Sequence, residues 1–364
     1  MNPAFLRNLD GTIGAFLYFT ATALNAFSKQ KDRNRGKILA IRLWSLGESI
    51  LILPALKELS RHGKLSVLCT NNNKNIFEGL NFINEIYVLD YKNPLNVFRM
   101  IRAIRSNKFD VSADFEPFTY ITAFLGWASG APIRVGYENR PQLYSHVVRI
   151  EEDKHVVHNF MNIVRALFFV RDPEKLVPIH VSKNDKDFAK NLVNGERPIV
   201  GFHPGSSATS QSRRWPKERF VELVAYLKKY TTVFAFGNSD DAELCNYIAS
   251  KTGVKNLCGK LTLKQFAAAV QDLDVFIAND SGPMHIAAAM GTPTLGLFGP
   301  NSPQRYGPYG PKCRAIYKEI GNPCIYPFRK IFPNCKHNHM DKISVSDVKN
   351  LVNEMIRRGN KSGY

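Results

Sequence analysis

The stretch Asp274-Val275-Phe276-Ile277-Ala278-Asn279-Asp280-Ser281-Gly282-Pro283-Met284-His285 constrains the fold of this chain more than any other, together with its continuation to Gly291-Thr292-Pro293-Thr294. An apolar run predicts a buried strand, a sharp polar turn follows, an Ala-rich run predicts a helix, and a second strand begins near Thr294. That order places Asp280, Ser281, Gly282 and His285 where the carboxyl end of a strand meets the N-terminus of a helix. The first amides of a helix have no internal partner and sit at the positive end of its dipole, so such a corner favours anions. Gly282 permits close approach to the backbone, and Pro283 suits the first helical turn. Asp280 and Ser281 also fit as ordinary helix caps, and His285 fits either a ligand contact or a satisfied core histidine.

The same alternation recurs along the chain. Strand-like runs at 37–43, 65–69, 85–89 and 111–115 are interleaved with helical patterns at 48–61, 94–105 and 120–129. A second series comprises a strand over 198–203, a helix over 216–229, a strand over 232–236 and helices over 240–251 and 262–271, and then the opening stretch. Strands alternating with helices predict an α/β fold whose mostly parallel sheets are covered by helices. Pro173, Pro178, Asn194, Gly195 and Pro198 punctuate a polar stretch between the series, which predicts a junction there. The expected organisation is an N-terminal segment over 1–36, Rossmann-like domains over 37–175 and 176–343, and a terminal helix and tail over 344–364. Two such domains facing one another would leave a substrate cleft between them.

Composition narrows the partners. A formal charge of +18 implies an anionic partner, whether nucleic acid, a membrane surface or phosphorylated small molecules. No RNP-type aromatic pattern, zinc-finger spacing or long basic run argues for nucleic acid. Six cysteines dispersed over 364 residues suit a reducing compartment better than a disulfide framework. Cys324, Cys335, His337 and His339 cluster near the end without a standard zinc spacing, and no metal site is expected. Residues 11–28 carry no charge and include Ile13, Phe16, Phe19 and Leu24, yet Thr12, Thr20, Thr22 and Asn25 interrupt them, so a membrane span is disfavoured. With the basic flank Lys29, Lys31, Arg33, Arg35 and Lys37, the segment reads as an amphipathic helix on an anionic leaflet; a helix docked on the protein itself is the other reading.

Three loops lie just beyond strands. In Arg42-Leu43-Trp44-Ser45-Leu46-Gly47-Glu48-Ser49, Glu48 is a candidate general base as well as an ordinary acidic residue of a first helical turn. The loop from His203 to Pro216 offers Gly205, Ser206 and Ser207 with Arg213 and Arg214, a candidate diphosphate clamp or a flexible Ser-rich loop. Asp240 and Asp241 after the strand ending at Phe236 suit ribose hydroxyls or a helix cap.

Taken in order, Ile41-Arg42 through Leu46-Gly47-Glu48 with Leu53-Pro54-Ala55-Leu56, His203-Pro204-Gly205 through Arg214-Trp215-Pro216, and Asn279 through His285 resemble the heptosyltransferases of lipopolysaccharide core assembly, glycosyltransferase family nine. The resemblance runs from about Lys37 to Val348. It implies a GT-B architecture and inverting transfer from ADP-heptose to a phosphorylated, lipid-linked glycan, with no cofactor beyond the nucleotide sugar and no metal. By position it implies Glu48 as catalytic base and Ser206, Ser207, Arg213, Asp241, Asp280, Ser281, Gly282 and His285 as donor contacts. Arg42, Asp114 and Glu116 are candidate acceptor contacts, with Arg134 and Tyr137 in the same domain. Where the family has Gly-Asp, this chain has Gly47-Glu48, one methylene longer, and Ser281 stands where threonine is common. An enzyme of this kind is expected in the cytoplasm, peripheral to the inner face of the inner membrane. The alternatives are a GT-B enzyme using another nucleotide sugar and a non-catalytic protein that binds anionic glycolipid.

Overall fold

The computed structural model describes residues 10–25, 36–207, 210–319 and 339–361. The contacts divide the chain into two units, Met1–Glu151 with Val156–Pro173 and Glu152–His155 with Glu174–Tyr364.

The first unit contains β1 (Lys37–Ile41), β2 (Lys64–Cys69), β3 (Glu85–Val88), β4 (Val111–Asp114), β5 (Ile133–Tyr137) and β6 (His146–Val148). Its helices are α1 (Ala15–Asn25), α2 (Leu46–Leu51), α3 (Leu53–Leu59), α4 (Lys74–Phe77), α5 (Pro94–Ser106), α6 (Tyr120–Ala128) and α7 (Val156–Arg165). The strands pair in parallel in the order β3-β2-β1-β4-β5-β6. Strands covered on both faces need continuous apolar sequence, and Ile38-Leu39-Ala40-Ile41 of β1 supply it, buried at every position. The single helix expected over 48–61 divides into α2 and α3 at Ile52, and Pro54 takes a place in the first turn of α3, where its missing amide costs nothing.

The second unit contains β7 (Ile199–His203), β8 (Thr232–Ala235), β9 (Lys255–Asn256), β10 (Val275–Asn279), β11 (Thr294–Phe298) and β12 (Arg314–Tyr317). Its helices are α8 (Lys183–Leu192), α9 (Lys217–Leu227), α10 (Ala242–Thr252), α11 (Leu263–Gln271), α12 (Gly282–Ala289), α13 (Pro303–Tyr306) and α14 (Val345–Lys361). Its parallel sheet runs β12-β11-β10-β7-β8-β9. Read from its other edge, this is the strand order of the first unit, so both are doubly wound α/β folds. In each, the order reverses between the first and fourth strands, where connections leave toward opposite faces and make room for a ligand at the carboxyl edge. The reversals fall at β1/β4 and β7/β10, paired as Ile41↔Asp114 and Ala278↔His203.

Trp215 anchors the second core. It is buried with Phe202, Phe220 and Leu297 and with Val345, Val348 and Val352 at the start of α14, and its indole donates to Ile343 O at 2.9 Å. Burial of a ring of this size stabilises by roughly 3 kcal/mol. Cys245 of α10 forms a disulfide with Cys258, a pairing that departs from the expectation of unpaired thiols. Cys69 and Cys313 are free.

The N-terminal segment docks on its own unit. Asp10 accepts the Tyr120 and Ile121 amides at 3.0 and 2.8 Å, capping α6, while Tyr18 and Ala21 are buried against Ala123 and Leu143. Its other face leaves Ile13, Phe16, Phe19 and Leu24 exposed. The basic flank over 29–35 lies outside the described residues. Among the described residues no helix is long and apolar enough to cross a membrane.

Candidate active site

In the first unit the reversal between β1 and β4 gathers a buried cation and three carboxyl groups. Arg42 leaves β1 and is 1% exposed; its guanidinium donates to Phe115 O at 2.8 Å and Trp44 O at 3.1 Å, pairs with Glu48, and lies 3.4 Å from Glu116. Glu116 accepts the Leu43 and Trp44 amides at 3.0 and 2.9 Å, and so fixes the turn that leads to Glu48. Asp114 accepts from Tyr144 Oη at 2.7 Å and from the Glu116 amide at 2.9 Å. Ser45 takes a positive φ of 61°, an uncommon conformation for a residue with a side chain, and its hydroxyl accepts the Glu48 amide.

The electrostatics follow from burial. Burial pushes the Asp114 carboxyl up to about 7, against the opposing hydrogen bonds of Tyr144 and the Glu116 amide. It pushes Glu116 to about 7 as well, despite Arg42, with the Glu48 and Asp114 charges adding to the rise. Burial opposes the Arg42 charge, but Glu116 and Glu48 more than restore it. One guanidinium balances only one of the three carboxyl groups, so this group retains a proton near neutrality. Arg42, Asp114 and Glu116 are interior, whereas Glu48 is 28% exposed and presents the group's charge to solvent. Arg134 falls elsewhere, donating to Leu143 O and Ala131 O, whereas Tyr137 is buried beside this group, which acts on it electrostatically, and donates its hydroxyl to Asn159 O.

In the second unit the reversal between β7 and β10 builds the corner expected at Asp280. Asn279 ties the two loops together: its amide group donates to Pro204 O at 2.7 Å, and its carbonyl accepts the Trp215 amide at 3.1 Å. Asp280 is 5% exposed, accepts from Asn301 at 2.6 Å and lies 3.3 Å from the half-exposed Arg213. Ser206 is buried, with its hydroxyl donating to Ser210 O and accepting from Arg214 Nε at 3.1 Å, so Arg214 shapes the loop while Ser207 is exposed. Gly282 opens α12, and Ser281 makes no side-chain cap to that helix.

Ser281 instead joins a chain of polar contacts that sequence reading missed. Its hydroxyl lies 3.2 Å from His203 Nδ1, and His203 Nε2 lies 3.1 Å from Asp241 Oδ2. Burial alone would raise the Asp241 carboxyl, but His203, the Asn238 amide and Arg214 hold it below the usual carboxylate range. An ionised Asp241 fixes the Nε2 proton of His203 and turns Nδ1 toward Ser281. Asp241 is therefore engaged inside the unit, and the exposed neighbour is Asp240. Gly205 is required by the same packing, since a Cβ there would stand 1.9 Å from Asp241 Oδ1. The signal available in sequence was the imidazole of His203 at the end of β7.

His285, on the first turns of α12, is 5% exposed, and its Nδ1 has no hydrogen-bond partner among the described residues. Burial, reinforced by His155 and Arg213, lowers its pKa to about 3. It presents a neutral imidazole at pH 7, able to hydrogen-bond but not to neutralise charge. Among the described residues no group of three or more His, Cys, Asp or Glu could hold a metal ion; Cys324, Cys335 and His337 lie outside them.

The chain matches the family model of glycosyltransferase family 9 (heptosyltransferase) over residues 97–329. It is 26% identical over 241 residues to lipopolysaccharide heptosyltransferase 2 of Escherichia coli strain K12, an alignment covering 59% of this chain and 66% of the relative. The matched part is thus just under two thirds of that relative's length. A solved glycosyltransferase of family 9 from Veillonella parvula superposes with a TM-score of 0.75 at 23% identity, over 91% of this chain and all of that one. The structure of E. coli ADP-heptose lps heptosyltransferase II gives 0.72 at 22% identity, over 89% and 99%. At such identities the structural likeness establishes the fold.

Proposed function

Because the chain belongs to glycosyltransferase family 9, we propose that it transfers a heptose from ADP-heptose to a lipopolysaccharide-core acceptor, with inversion at the anomeric carbon. The observation that carries this reading is the placement of its charged groups. A solvent-reaching carboxylate, Glu48, stands at the reversal of one sheet, and Arg213 with the N-terminus of α12 stands at the reversal of the other.

Glu48 accepts the proton of an acceptor hydroxyl, whose oxygen attacks the anomeric carbon as the bond to the β-phosphate oxygen breaks. ADP departs with the bonding electrons. Its growing charge meets Arg213 and the first amides of α12 around Gly282, donors already oriented before the charge develops, with the exposed Ser207 hydroxyl beside them, while Ser281 lines the corner with its own proton engaged inside the unit. Arg42, Asp114 and Glu116 serve the acceptor indirectly, by holding the Glu48 carboxylate in place. Asp280 orients Arg213, buried Ser206 shapes its loop, and His285 offers a neutral hydrogen bond to the donor. The ribose hydroxyls fall to Asp240, since Asp241 is occupied by His203. No metal takes part, and activity is expected to persist in excess EDTA.

The acceptor is a phosphorylated, lipid-linked glycan, and the enzyme works peripherally at the inner face of the inner membrane. A charge of +18 supports both partners. Thermal shift tests the donor: ADP at a hundred times its Kd stabilises by about 2.7 kcal/mol. UDP and GDP are expected to leave the midpoint unchanged, and a larger shift with UDP would replace the donor assignment.

A further inference from the structure

Resting on the lipid-linked acceptor just proposed, we infer that one surface of the first unit seats on an anionic bilayer: the outer face of α1 with the beginning of α5. On this surface Ile13, in the helical turn Asp10–Gly14 that leads into α1, and Phe16, Phe19 and Leu24 of α1 are 55 to 68% exposed, and Leu95 and Phe98 are 66 and 65% exposed. Large apolar side chains exposed in this number exceed the scattered ones of an ordinary surface.

The three helices concerned lie on one face of the sheet. Phe124 of α6 packs against the same core cluster as Val97, Met100 and Ile101 of α5 and also against the cluster that holds Tyr18 of α1, so α6 touches both neighbours. The inner face of α1 is spent on α6 through Tyr18 and Ala21, as is Asp10 of the turn ahead of it through its cap. Its outer face carries no charged residue from Gly11 to Asn25. Helix α5 has no acidic residue and exposes Arg99, Arg102 and Arg105. An apolar strip bordered by guanidinium groups is the composition of a helix lying in the headgroup region, with rings among acyl chains and cations at phosphates. The strip also starts at a useful place. Asp10 caps the helix that follows β4, the strand leading to Asp114 and Glu116, so the seated end of α1 adjoins the edge where the acceptor hydroxyl is proposed to bind.

Flotation of the full chain with vesicles of phosphatidylethanolamine and phosphatidylglycerol in a 3:1 ratio, against phosphatidylcholine vesicles, tests the surface. The wild type is expected to float with the anionic vesicles, and Phe16→Ser with Phe19→Ser to lose at least about tenfold in partition. Transfer to a delipidated acceptor is expected to remain at wild-type rate. Phe16→Trp provides a readout that survives if the double variant folds poorly: its fluorescence should shift to the blue on vesicles and be quenched by brominated lipid. Absence of wild-type flotation, flotation indifferent to the double variant, or a tryptophan unaffected by lipid overturns the inference. So does a dimer in sedimentation that the double variant dissolves, which would assign the strip to a second copy. Transfer to the delipidated acceptor reports on the proposed reaction separately, and its loss in the wild type would count against that reaction and not this surface.

Discussion

Glu48→Gln separates base chemistry from structure at one atom. The amide has the length of the native side chain, and its carbonyl oxygen still accepts from Arg42, so the exchange removes charge and basicity with little change of shape. Arg42 retains Glu116 at 3.4 Å and its bonds to Phe115 O and Trp44 O. The loss in stability is therefore the difference between a charged and a neutral hydrogen bond at a partly exposed site, about 1 kcal/mol. Loss of a general base costs a factor of about 10² to 10⁴, or roughly 3 to 5 kcal/mol in the barrier. The proposed donor contacts are in the second unit, so the donor Kd is expected to stay within about twofold. ADP release at saturating substrates gives kcat, calorimetry gives donor affinity, and a urea midpoint confirms the fold. A kcat near the wild-type value would remove Glu48 from the base role. Glu48→Asp keeps the base but shortens its reach, and a rate between the two is expected.

Arg213→Ala should weaken the donor by about tenfold and lower kcat in addition, because the half-exposed guanidinium meets more charge in the departing ADP than in the ground state; titration with ADP and steady-state rates check both. His203→Ala should raise the donor KM and lower the midpoint, since buried Asp241 loses its partner, while His203→Gln, which can donate to Asp241, should recover part of the stability. Asp114 binds its proton more tightly folded than unfolded, its pKa rising from 3.8 to about 7, so its contribution is full below about pH 4 and is lost as pH rises to 7. Asp114→Asn lacks this loss, and its stability relative to wild type should improve by on the order of 2 kcal/mol from pH 5 to pH 8 in urea titrations. Gly205→Ala should destabilise by about 2 kcal/mol by forcing Asp241 aside, as read from the thermal midpoint.

Much of the fold is legible because its central strands are buried on both faces. The runs at 199–203 and 275–279 need no alternation to be recognised as strands, and the Ala-rich stretch after Gly282 has the composition of a helix packed on both sides. Edge elements are weaker in sequence: β9 has two residues, β6 has three, and both lack an apolar run. Helix α8 falls inside the polar stretch predicted to be a junction. Of its residues only Ala189 is buried, and its local mark is the capping box of Ser182 and Asp185. At the site, Glu48, Arg213, Asp280 and Ser281 were readable as chemistry-bearing types beyond strand ends. Which of them face solvent was not readable, because burial of Arg42 and Asp241 depends on partners from β4 and β7 that only the folded sheets bring near. The disulfide is silent in sequence for the same reason: Cys245 and Cys258 meet through the packing of α10 against the segment after β9.

The central claim is the transfer itself. Purified enzyme, ADP-heptose and a heptose-deficient core lipopolysaccharide acceptor, followed by mass spectrometry of the product, test it directly. One added heptose residue with stoichiometric ADP release, absent with Glu48→Gln, is expected. An acceptor left unchanged by ADP-heptose but extended from a UDP- or GDP-sugar would contradict it.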